Sequence, residues 1–232
     1  MIPLRDLNPT RTRPWVTWTL IGLNAAIFVF QHVLLAPGFE AAFVHRWGLV
    51  PYYLTQEQFL PSFVTPITSM FLHGGWLHLI GNMWFLHVFG DNVEDELGKP
   101  RFVLFYLLAG LAAAALQVAI DPASKVPMIG ASGAIAGVLG AYVVLHPRAR
   151  VLALVPIFME LPAYVFLFVW FGLQLLYGLS TLGVGPEGGG VAFFAHIGGF
   201  VVGLALGRVL RRPLAEVAPS VEWRREGWRR PP

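Results

Sequence analysis

A serine hydroxyl becomes a useful nucleophile when a neutral imidazole stands within hydrogen-bond reach to take its proton. The chain offers such a pair in unusual surroundings: Ser132 lies among glycines in the apolar stretch MIGASGAIAGVLGAY, and His196 lies in AHIGG. Acyl transfer would also need donors aimed at the developing oxyanion. His78 and Asn82, four residues apart in HGGWLHLIGNMWF, share one helix face. They could act together with Gly130 and the N–H groups at the start of the helix that Ser132 opens, since first-turn N–H groups have no partner within their own helix. Each residue alone also fits a plainer role. Serine among glycines is a common small-residue helix contact, and a histidine in an apolar helix can bond a backbone carbonyl.

The elements that must carry these residues follow from composition. Of 232 residues, 56% are hydrophobic and 12% charged, whereas an ordinary soluble domain is about a quarter charged. The expectation is an all-α, polytopic membrane protein. Six apolar runs, near 15–35, 72–90, 102–120, 132–146, 161–182 and 191–208, approach the ~17–25 helical residues that cross a hydrocarbon core. The fourth is short and rich in glycine and alanine. The first reads as a span and not a cleaved signal peptide, because its apolar run is long and a multi-span body follows. Residues 1–14 and a basic tail, 209–232, expected to be disordered, flank the six-span domain, 15–208.

Charge sets the expected orientation. With the N-terminus inside, the inner segments hold Arg5, Arg11, Arg13, Lys99, Arg101, Arg148, Arg150, Arg208, Arg211, Arg212, Arg224, Arg225, Arg229 and Arg230, against Arg46 and Lys125 outside. The even-numbered spans then run from outside to inside. At ~1.5 Å per residue, Ser132, His196 and His78 lie ~21, ~18 and ~20 Å above the inner ends of their helices. Three costly polar side chains thus share one level, ~10 Å below the outer surface of a ~30 Å core. Gly133, Gly137, Gly199 and Gly203 would let the serine and histidine helices approach closely.

With these residues in view, GASG around Ser132, AHIGG around His196 and HGGWLHLIGNMWF with His73, His78, Asn82 and Met83 resemble the signature blocks of the rhomboid family of intramembrane serine proteases. The similarity runs over about residues 15–208, in order and topology, and is to the bacterial type with a six-span core. It implies a Ser132–His196 dyad with no aspartate, and an oxyanion site with His78 and Asn82. It also implies single-span transmembrane substrates cut near the outer face, and residence in a bacterial cytoplasmic membrane with both termini inside. Two departures stand out. Ala136 occupies the position four residues after the serine where some members carry an aromatic that stacks on the histidine, and Val64-Thr65 stands where many have a Trp–Arg pair.

Other chemistries fit less well. The absence of cysteine removes disulfides and thiolate metal sites. His73, His78 and His87 lack the H-E-x-x-H spacing, so no metal and no cofactor are expected. No nucleotide motif points to nucleic acid. A transporter or channel with a Ser/His polar path, and a rhomboid-like protein that binds clients without cutting them, remain as alternatives. Residues 36–67, with Trp47, Tyr52, Tyr53 and Phe59, suit an interfacial loop, and GVGPEGGG at 183–190 suits a mobile cap over the site or, equally, a plain turn. The arginine-rich tail could touch anionic lipid. The sequence carries no signal for oligomeric state.

Overall fold

The six apolar runs fold as six principal helices, joined by minor helices and a small sheet. In the computed structural model, which describes residues 1–55, 63–181 and 192–213, the chain order begins β1 (Ile2–Asp6), α1 (Trp15–Val29, continued by a π turn at Phe30–Leu34), α2 (Glu40–Trp47), α3 (Pro51–Thr55) and α4 (Thr65–Thr68). It continues α5 (Trp76–Leu97), α6 (Lys99–Ile120), α7 (Ser132–Leu145), β2 (Arg150–Val155), β3 (Ile157–Pro162), α8 (Ala163–Thr181) and α9 (Phe193–Val209). Trp15–Leu34 and Lys99–Ile120 are long and apolar enough to cross a membrane by length and composition, while Ser132–Leu145, Ala163–Tyr177 and Phe193–Val209 are apolar but shorter. The architecture is a polytopic helical bundle.

Every residue from Gly133 to Val143 is buried, so α7 is the centre of the bundle and its small side chains serve helix contact. Against α9 it packs at backbone distance: a Cβ on Gly199 would collide with the carbonyl oxygen of Gly133, and one on Gly203 with that of Gly137. On the other side, a Cβ on Gly133 would lie 2.5 Å from Ala113 Cβ of α6. The four glycines expected to mediate packing therefore stand at the contacts of α6, α7 and α9.

At the end of the bundle opposite Ser132, α5 runs past residue 90, its expected limit, to Leu97. It carries buried Asn92, Glu94, Asp95 and Glu96 there. Buried carboxylates persist only when paired. Glu94 accepts bonds from the Val16 and Thr17 N–H groups (3.1 and 2.8 Å) and the Thr17 hydroxyl (2.9 Å), which satisfies donors at the start of α1. Asp95 meets Arg11 at 2.9 Å and the Thr12 hydroxyl at 2.7 Å. Glu96 meets Arg11 at 3.0 Å and Arg211 at 2.6 Å. The turn into α6 is Gly98, whose φ of +79° disfavours other residues and whose missing Cβ leaves room for Arg212. Of the basic tail expected at 209–232, residues 209–213 are described, with Val209 ending α9 and Arg211 and Arg212 bound to α5; residues 214–232 lie outside the described residues.

The sheet is an addition to the all-α expectation. β1 pairs antiparallel with β2, from Ile2↔Leu154 to Asp6↔Val151, and β2 with β3, from Arg150↔Pro162 to Val155↔Ile157. The first residues are thereby stitched to the connection between α7 and α8. Three bonds, one to Pro3 and two to Asp6, join the strand to the helices. The indole N–H of Trp84 donates to the Pro3 carbonyl, and Asp6 accepts from the Tyr142 hydroxyl and the Asn92 amide, both at 2.7 Å. Burial pushes the Asp6 carboxyl up to about 6, against the lowering effect of its bond from Tyr142.

Candidate active site

Ser132 is the first residue of α7, placed there by the turn of Gly130, whose φ is +125°. A side chain at 130 would be strained by that backbone and would also strike the His78 ring, with Cβ 2.7 Å from Nε2. The same point lies 3.6 Å from Ser132 Oγ. Gly130 therefore brings the hydroxyl and the His78 ring to one spot. Its own N–H, expected as an oxyanion donor, is instead bonded to the Ser69 carbonyl at 2.9 Å.

The residues singled out by the sequence meet at one cavity. Ser132, His196, His78, Asn82 and Gly130 all line a cavity of about 630 Å³, together with Phe85 of α5 and Trp170 and Gln174 of α8. Asn82 is buried, and its side-chain Nδ2 has no partner among the described residues, so a donor is unused at this wall. The backbone N–H of Gly74 donates to His78 Nδ1 at 3.3 Å, which leaves the proton of a neutral ring on Nε2, the nitrogen beside Gly130. The loop carrying Gly74 is held by the π turn that continues α1: the His73 carbonyl accepts from Gln31 Nε2 and from His32 Nε2, each at 3.0 Å.

His196 lies in the first turn of α9, 8% exposed. With Ala136 in place of an aromatic, other side chains flank its ring. Trp170 stands 6.0 Å away at 37° and Phe193 6.4 Å away at 88°, measured between ring centroids and planes. Its Nδ1 lies 2.7 Å from Gln174 Oε1. Gln174 belongs to none of the sequence motifs. The available signal was a lone amide in the apolar run VFLFVWFGLQLLYG, one turn after Trp170.

No group of three or more histidine, aspartate, glutamate or cysteine side chains suited to a metal ion occurs among the described residues. Within 36–67, α2, α3 and α4 replace a plain loop, with Arg46 over the Trp47 ring at 5.5 Å. Residues 56–62, which include Phe59, and the proposed cap at 183–190 lie outside the described residues.

Comparison with known proteins bears on the whole arrangement. Residues 61–213 match the Rhomboid domain. Rhomboid protein 1, mitochondrial, of Saccharomyces cerevisiae is 26% identical over 196 residues, covering 83% of this chain and 52% of that protein. Two Arabidopsis thaliana proteins each align over 62% of this chain. RHOMBOID-like protein 6, mitochondrial, is 34% identical with 42% of its length covered, and RHOMBOID-like protein 4 is 37% identical with 33% covered. The chain spans about half the length, or less, of these curated relatives. A domain match over most of the chain, on a helical bundle of this kind, means that the chain belongs to the rhomboid family of integral membrane proteins.

Proposed function

We propose that the chain is an intramembrane serine endopeptidase that cuts transmembrane substrates through a Ser132–His196 dyad. The observation that carries this reading is the unused Nδ2 donor of buried Asn82 on the same cavity as the Ser132 hydroxyl and the His196 imidazole. Ser132 Oγ attacks the substrate carbonyl carbon as its proton passes to His196 Nε2. The oxyanion accepts bonds from Asn82 Nδ2, from His78 Nε2–H and from first-turn N–H groups of α7. Collapse breaks the C–N bond, and the proton on Nε2 leaves with the amine. Water activated by the same histidine then hydrolyses the acyl-enzyme. No cofactor enters these steps. With the arginine-rich segments inside, the site opens toward the external or periplasmic side.

Fluorophosphonate labelling of the detergent-purified protein tests the assignment. Wild type should be labelled at Ser132. Ser132→Ala should neither label nor cleave, yet should melt at the wild-type temperature, because it deletes one oxygen beside the cavity. Labelling that persists in the variant, or active wild type that resists the reagent, overturns the dyad. Client binding without cleavage by wild type would make the chain a non-catalytic relative, and transport surviving the substitution would favour a polar path.

A further inference from the structure

We infer that Gln174 is a positioning residue for His196: its side-chain oxygen accepts a hydrogen bond from Nδ1–H and so holds the ring in the tautomer whose bare Nε2 serves Ser132. This inference rests on the dyad reading above. The two ring nitrogens of a neutral histidine are inequivalent, and the partner of one decides the state of the other. An amide oxygen can only accept. With Gln174 Oε1 at 2.7 Å from Nδ1, Nδ1 carries the proton and Nε2 keeps its lone pair. That is the form a general base needs.

The surroundings favour this assignment over incidental contact. Trp170 and Gln174 are one turn apart on α8, and both line the cavity and approach His196, so a single helix face supplies an aromatic and an acceptor to the same ring. Ala136 leaves no stacking partner on α7. An amide in an apolar helix is costly unless it is bonded, and the bond found here is to the imidazole.

Gln174 acts through His196 and touches no reacting atom. As the Ser132 Oγ–carbon bond forms, the Oγ proton moves to Nε2, and the resulting imidazolium keeps its Nδ1–H on Gln174 Oε1. When the C–N bond breaks, Nε2 gives its proton to the amine and the starting tautomer returns. The proton on Nδ1 never leaves, and the amide is never protonated. Its oxygen faces a full positive charge only in the imidazolium, so the bond strengthens as the barrier is climbed.

Gln174→Leu removes the acceptor at similar size, and Gln174→Glu keeps an acceptor while adding charge. In reconstituted full-length protein, Gln174→Leu should lower kcat about 10- to 100-fold, the loss expected for a hydrogen bond to a charged group, with KM and melting temperature near wild type. Gln174→Glu should recover most of that loss at alkaline pH, with the acid limb of the rate profile moved to higher pH, because a carboxylate beside the ring favours its protonated form. A Leu variant with wild-type kcat overturns the inference, as does a Glu variant whose acid limb is unmoved. Should the Leu variant fail to fold, the Glu profile alone decides. Wild type that is not labelled by fluorophosphonate at Ser132 overturns the dyad and this inference together. Normal labelling of wild type and of both Gln174 variants at equal rates overturns this inference alone.

Discussion

Asn82 shows how burial turns an ordinary amide into a candidate for catalysis. A buried donor without a partner is costly in the resting protein. Nδ2 of Asn82 stands in that condition on the cavity wall. An oxyanion that forms only during the reaction would repay the cost at the transition state, which is where binding energy accelerates chemistry. Asn82→Ala should therefore lower kcat by about 10²–10³ while leaving KM little changed. Rates measured on a single-span substrate in liposomes check this. An intact kcat with a raised KM would make Asn82 a substrate-positioning residue instead.

At the scale of elements, β1 acts as a strap, and its one half-buried carboxyl, Asp6, makes the strap sensitive to pH. Asp6 sits between Tyr142 of the serine helix and Asn92 of α5 and is raised from the ordinary carboxylate value of 3.8 to about 6. The folded protein thus holds this proton more tightly than the unfolded chain. The stability it contributes is fully present below the unfolded value and is lost as pH rises from about 4 through about 6. Relative to Asp6→Asn, which mimics the protonated acid, wild type should lose melting temperature over that window and stay at a constant offset above it. Melting curves of the two proteins between pH 4 and 8 check the sign. A difference that widens on acidification would contradict the burial of this carboxyl. The strap was not legible in the sequence. IPLRD is too short for a periodic signal, and its partner in β2 lies well over a hundred residues away. Separations of 83 to 115 residues likewise hid the pairing of Arg11, Thr12 and Arg211 with the α5 carboxylates. Gln174 was hidden differently, since a lone amide has no spacing partner along the chain. What could be read was the set of residues that are expensive in a membrane. Ser132, His78 and His196 stood out because hydropathy and charge bias put them at one depth, and they line one cavity in the fold.

The whole molecule limits what could reach such a cavity. Its walls come from α5, α7, α8 and α9, with Pro66 of α4, Gly110 and Ala113 of α6 and the turn at Gly130 completing them, and α5 and α8 meet beside it through the rings of Phe85 and Trp170, 6.4 Å apart. Glycine contacts hold α7 and α9 at backbone distance, so entry between those two helices is closed, and the ring contact between α5 and α8 is the looser seam. A segment arriving from the bilayer as a helix has its carbonyls engaged and its backbone shielded. On the proposed dyad, it must unwind before Ser132 can attack. On the proposed orientation, with the site ~10 Å below the outer surface, preferred substrates should be single-span proteins cut near their external end, at small residues, with a helix-weakening glycine or proline just inside the span. The rate should also fall on acidification, because His196 must be neutral to act as base. Reconstitution with a panel of single-span substrates, mass-spectrometric mapping of the cuts and rates across pH check these expectations together. Cuts confined to the arginine-rich side would overturn the orientation, and cuts indifferent to glycine or proline placement would overturn the requirement for unwinding. A rate that rises on acidification would remove His196 from the role of base, whatever the cut sites prove to be.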